Sequence, residues 1–136
     1  MASIQAGELA QRFIEALHNL EKGADESGVP ALVALFASDA KIVNSAMLLG
    51  GDTEQGQSGA TEFWTEYKKT IGIGESHFHH IGASGDTAGL FWKTTMHGGG
   101  SYDGATLLAF GEDGLIHYFQ GYYDTKQLST ALGAAK

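Results

Sequence analysis

The sequence predicts an α+β domain in which helices come first and an antiparallel meander of strands follows. Three observations carry this expectation. Apolar residues recur at helical spacing through the first half of the chain, they alternate with a period of two through much of the second half, and the later runs are joined by turn clusters too short for a crossover. The chain has 136 residues, 43% of them hydrophobic, which suits a single domain with its own core. We therefore expect one domain over 1–136, with a core over 9–124 and a C-terminal tail over 125–136.

Leu9, Phe13, Ala16, Leu17 and Leu20 make one apolar stripe along a first helix, and Gly23 ends it. Pro30 suits the first turn of a short second helix whose apolar side is Leu32, Val33, Leu35 and Phe36. Ser38 and Asp39 then lead into a strand over 40–44. The glycine-containing segment over 45–58 reads as a loop that covers something. Ser58 suits the N-cap of a third helix in which Phe63, Trp64, Tyr67 and Ile71 recur at helical spacing. Strands are expected over 76–83, 87–97, 101–110 and 115–123. The clusters Ser84-Gly-Asp86, Gly98-Gly-Gly100 and Gly111-Glu-Asp-Gly114 turn the chain between them.

Composition narrows the function. With no cysteine there is no disulfide scaffold, thiolate zinc site or cysteine nucleophile. A net charge of −8, with Lys68-Lys69 the sole adjacent basic pair, excludes nucleic acid as an expected partner. The first residues carry no basic n-region, and no apolar run approaches the ~18 residues of a spanning helix. No membrane partner is expected, and the cytoplasm is the expected compartment.

Several strings occur together in order: Leu35-Phe-Ala-Ser-Asp-Ala40, Gly59-Ala-Thr-Glu-Phe-Trp64, Gly85-Asp-Thr-Ala88 before the strand with Trp92, Glu112-Asp-Gly-Leu-Ile116, and Tyr122-Tyr-Asp124. In these strings the chain resembles the nuclear transport factor 2-like superfamily, which includes ketosteroid isomerase-like, SnoaL-like polyketide cyclase and scytalone dehydratase-like proteins. The resemblance implies a cone-shaped α+β barrel: three N-terminal helices packed on a strongly curved, mostly antiparallel sheet. It also implies a pocket for an apolar small-molecule ligand inside the cone, and a homodimer through the outer sheet face. The fold hosts many activities and does not choose among them.

Carried over residue by residue, the resemblance removes the familiar chemistry. The ketosteroid isomerase tyrosine falls on Phe13, its aspartate base on Asn44 and its buried acid on or near Thr106. Asparagine cannot abstract a proton, and phenylalanine cannot donate to an enolate oxygen. The cyclase acid falls on Gly121, and Arg12 is the one arginine available to an epoxide-hydrolase-like Asp–Arg–Asp group. His80-Ile-Gly82 and His97 loosely resemble the pocket histidines of scytalone dehydratase-like members.

Three of the six histidines, His77, His79 and His80, fall on one expected strand. Regular alternation puts His77 and His79 on one face and His80 on the other. Imidazole titrates near neutrality, so His80, oriented by Asn44 or Asp124, is the expected acid–base group. The plain alternative is that these histidines are inert on an outer face. Asp124 equally suits a cap for the tail. His77, His79 and His97 offer zinc-ligand types, but no fourth ligand accompanies them, and neither metal nor cofactor is expected. His18 and His117 are assigned to the surface. Phe13, Trp64, Tyr67, Trp92, Thr106, Phe119 and Tyr123 are expected to line the pocket, although aromatic residues at such spacings commonly just build core. The expectation is acid–base chemistry of isomerase, cyclase or dehydratase type on an apolar ring-bearing substrate. The alternative is a non-catalytic hydrophobic-ligand-binding or dimeric interaction module.

Overall fold

The computed structural model describes residues 3–134, and the side chains of 5–133. In chain order the elements are α1 (Ser3–Lys22), α2 (Val29–Val33), β1 (Phe36–Asn44), α3 (Ser45–Gly50), β2 (Glu54–Gln55) and α4 (Gly56–Ile71). Then come β3 (Gly74–Ser84), β4 (Thr87–Met96), β5 (Ser101–Phe110), β6 (Ile116–Tyr123) and α5 (Thr125–Ala134). The strands form one sheet in the order β2-β1-β6-β5-β4-β3. The short turns make β3 through β6 an antiparallel meander, whereas β1 returns parallel to β6 after the whole intervening chain has crossed over.

Alternation decides which side of the sheet is core. On β4, Ala88, Leu90, Trp92, Thr94 and Met96 are buried, while Phe91, Lys93 and Thr95 between them are exposed. Thr106, Leu108 and Phe110 on β5 and Phe119 on β6 face the same way. Across this inner face α1 lies mainly against β3 and α4 mainly against β1. The stripe of α1 supplies Phe13, Leu17 and Leu20 to the core, where each buried side chain stabilises the fold by about 2 kcal/mol. Gly104 on β5 is required by close approach: a Cβ there would sit 2.9 Å from the Trp92 ring.

The structure differs from the expected elements in four places. Strand β1 begins at Phe36 rather than residue 40, because Ser38 and Asp39 form an exposed irregularity inside the strand. The segment over 45–58 is not a plain loop. It holds α3, whose start Asn44 caps by accepting from the Met47 N–H at 2.9 Å, and it holds β2. Helix α4 begins at Gly56, whose φ of +73° turns the chain out of β2, so Ser58 lies within its first turn instead of capping it. Finally, β3 is bulged. Phe78 pairs with Trp92 and His80 with Phe91, leaving His79 unpaired between them. That extra residue turns His80 onto the outer face beside His77, against the expectation from simple alternation.

Below the sheet, Lys68 is 5% exposed and its Nζ donates to three backbone carbonyls: Glu21 at 3.0 Å, Gly23 at 2.6 Å and Gly72 at 2.8 Å. These carbonyls lie at the C-terminal ends of α1 and α4, which carry the negative ends of both helix dipoles. No helix among the described residues is long and apolar enough to cross a membrane.

Two outcomes follow from this geometry. Lys68→Met takes the donor from one buried and two part-buried carbonyls, and is expected to cost about 2 kcal/mol in urea unfolding. A loss under about 0.5 kcal/mol, the size of an ordinary surface change, would show that the lysine ties nothing together. Deleting His79 preserves the pairs on either side of the bulge, so its cost should be about 1 kcal/mol or less. Deleting His77 shifts Ser76 out of register and should cost about 3 kcal/mol. Equal losses from the two deletions would contradict the bulge.

Candidate functional site

Between the inner face of the sheet and the helices lies a cavity of about 480 Å³, within the size range of small-molecule sites. Phe13, Asn44, Trp64, Tyr67, Trp92, Thr106, Phe119 and Tyr123 all line it. The walls are mostly aromatic. The Trp64 ring lies 5.4 Å edge-on to both Tyr67 and Phe119, and Phe13 packs 5.9 Å from Trp64. Trp92 Nε1 donates to Thr106 Oγ1 at 2.9 Å, which fixes the indole against β5. Asn44 spends its Oδ1 on the α3 cap, so its amide N–H group is what it can offer a ligand. Gly121 also lines the cavity. A Cβ there would meet nothing closer than Asn44 at 3.6 Å, so its missing side chain leaves room beside Asn44.

The proposed acid–base residues part company. His80 is exposed on the outer face, stacked edge-on against Phe91 at 5.6 Å, and is not among the cavity-lining residues. The bulge at His79 is the reason. Asp124 lies outside the cavity lining too, where its Oδ1 accepts the backbone N–H groups of Lys126 and Gln127 at 2.8 and 3.0 Å and so caps α5. His77, His79 and His97 are exposed. Among the described residues no group of three His, Asp or Glu side chains is disposed to hold a metal ion. His18 is half-buried rather than on the surface, with its Nε2 bonded to the Ser76 carbonyl at 2.8 Å. His117, also half-buried, sits between Asp39 at 3.2 Å and Asp113 at 3.1 Å.

The strongest polar feature of the cavity is one that the sequence reading did not single out. Glu21 is 1% exposed, behind the lining residues Tyr67, Ser76 and Thr94. Its Oε2 accepts from Tyr67 Oη and from Ser76 Oγ, each at 2.5 Å, and its Oε1 accepts from the Ser76 N–H at 3.0 Å. Ser76 Oγ in turn lies 2.6 Å from Thr94 Oγ1. Burial raises the pKa of Glu21, opposed by the hydrogen bonds from Ser76 and Tyr67. Burial, reinforced by the Glu21 charge, pushes the Tyr67 phenol well above its usual range, so Tyr67 stays protonated. Thr94 was legible from the inward face of its strand. Glu21 had a signal as well: it continues the spacing Leu9, Phe13, Leu17, and a charge on a buried stripe demands a partner. Lys68 stands in the same relation to Ala60 and Trp64.

Another part of the lining is acidic: Asp52, Glu54, Glu62 and Glu66. The Glu54 pKa is raised by burial first and then by the neighbouring charges of Glu62 and Asp52.

Residues 10–119 match the model of the SnoaL-like domain family. No curated protein matches the sequence significantly. Among solved structures, an LEH-like epoxide hydrolase of M. tuberculosis superposes with a TM-score of 0.72 at 16% identity, over 98% of this chain and 92% of that one. An NTF2-like protein of unknown function from Mesorhizobium loti gives 0.69 at 24% identity, over 90% and 93%. A SnoaL-like protein of unknown function from Burkholderia thailandensis gives 0.70 at 13% identity, over 91% and 98%. At such identities these likenesses establish the cone-shaped fold and nothing about activity. The chain belongs to the SnoaL-like domain family.

Proposed function

We propose that the cavity binds an apolar, ring-bearing small molecule and moves a proton on it, in a reaction of isomerase, cyclase or dehydratase type. The observation that carries this reading is the buried Glu21 carboxyl, bonded to two hydroxyls, Tyr67 Oη and Ser76 Oγ, that line an aromatic cavity. A buried acid wired to a ligand cavity is how proteins set a proton acceptor near working pH. In the proposed step a ligand X–H gives its proton to Tyr67 Oη while the phenolic proton passes to Glu21 Oε2. Tyr67 stays neutral throughout, as its raised pKa requires. The reverse transfer returns the proton at another ligand atom. Epoxide opening by a guanidinium-assisted group is not proposed, since Arg12 is exposed on α1 and does not line the cavity.

A second reading, a cavity that holds its ligand without reaction, is favoured by Phe13, Asn44, Thr106 and Gly121, which stand where the resembling enzymes carry their tyrosine and acids. The two readings differ at Tyr67. On any ring-bearing substrate that is turned over, Tyr67→Phe should lower kcat by about a hundredfold with little change in KM. Undiminished kcat would reject the relay. Saturable quenching of Trp64 and Trp92 by naphthol, with no turnover of ring-bearing ketones or alcohols by the parent protein, would support the second reading.

The state of Glu21 can be read without a substrate. A carboxyl whose folded pKa is raised binds more protons when folded. Its contribution is fully present below its ordinary value of 4.5 and is lost as pH rises through the raised value. The Tm of the parent protein, measured against that of Glu21→Gln, should therefore fall as pH rises through this window. Parallel Tm–pH curves would contradict the assignment.

A further inference from the structure

We infer that the ring-bearing ligand of this cavity carries on its apolar frame an amine, protonated at neutral pH, whose N–H groups rest on Tyr67, Ser76 and Thr94. The inference rests on the cavity being the ligand site, as proposed above. With Glu21 ionised, the Tyr67 hydroxyl hydrogen is committed to Oε2, and so is that of Ser76. The remaining hydrogen between Ser76 and Thr94 is then supplied by Thr94. All three hydroxyl oxygens keep lone pairs and none keeps a free hydrogen. This floor accepts hydrogen bonds, and a ligand group that only accepts finds no donor on it.

The charges point the same way. The described lining contains Asp52, Glu54, Glu62 and Glu66 and no Lys, Arg or His. The nearest cation in sequence, Lys68, spends its donors on three backbone carbonyls, and His18 turns its Nε2 to the Ser76 carbonyl. Nothing basic among the lining residues offsets the carboxylates, and Glu54 already lies within the repulsion of Glu62 and Asp52. An ammonium group would relieve that repulsion, whereas a ligand carboxylate would add to it. The walls suit a cation as well, since Trp64, Tyr67, Trp92 and Phe119 all line the cavity and aromatic rings attract cationic charge. One ring system with an ammonium group therefore satisfies the floor and the acidic lining together, and leaves the unpartnered Trp64 Nε1–H for an acceptor elsewhere on the ligand.

The test compares three probes that share a ring and differ in charge: naphthylmethylammonium, naphthylmethanol and naphthoate. Each is titrated into the full chain at neutral pH, with Trp64 and Trp92 emission as the readout. The ammonium should bind about tenfold tighter than the alcohol, and naphthoate weaker than both. A Glu54→Gln/Glu62→Gln variant should narrow the ammonium-to-alcohol ratio by about threefold, and added salt should narrow it further. If that double variant does not fold, Glu62→Gln alone, at an exposed position, should narrow the ratio in the same direction. Saturable binding in which the alcohol or naphthoate equals or exceeds the ammonium overturns the cation inference and leaves the cavity reading intact. Failure of all three probes to bind overturns both.

Discussion

Two opposite charges buried at the ends of helices hold the architecture in place. The Lys68 ammonium gathers carbonyls from the last turn of α1, from the segment that follows it and from the residue that ends α4. Glu21, in the last turn of α1, reaches the other way, to the β3 backbone and to hydroxyls on α4 and β3. Both helices and the edge of the sheet are thereby fixed to one another by groups that cannot be left unpaired in a dry interior. The hydrophobic core supplies most of the stability but is indifferent to small slides of helix on sheet. Directional bonds from Glu21 and Lys68 are not. They set where Tyr67, Ser76 and Thr94 stand, and so they define the polar end of the cavity.

Much of this was legible in the chain. The period-two pattern of Ala88, Leu90, Trp92, Thr94 and Met96 gave the inner face of β4 directly, because a strand buried on one side has to alternate. The pocket walls followed from the same alternation and from the stripe on α4. Helix boundaries were harder where glycine rather than a capping side chain makes the turn, as at Gly56. The small helix α3 was hidden because its cap, Asn44, is also the last residue of a strand.

The acid–base assignment illustrates how a single residue can reverse a reading. By simple alternation a strand rich in histidine offers one imidazole to the interior, and the bulge at His79 takes it away. A β-bulge depends on pairing geometry with the neighbouring strand, which no local pattern in β3 announces. Glu21 and Lys68 are hard to read for the opposite reason. Each was visible as a charge on an apolar stripe, but the meaning of either depends on the other elements that reach it in space. Asn44, Thr106 and Gly121 stand where the resemblance implies acids, and a carboxyl lies at the end of the first helix, behind the cavity wall.

The central claim is that this carboxyl and the cavity share one hydrogen-bonded system. Carbon-detected NMR of glutamate-labelled protein can follow the Glu21 carboxyl through a pH titration, with Glu21→Gln identifying its resonance. The account predicts titration above the ordinary value of 4.5 in the free protein, and a shift to lower pH when naphthylmethylammonium saturates the cavity. A Glu21 resonance that titrates at the ordinary value, or that ignores the bound cation, would contradict it.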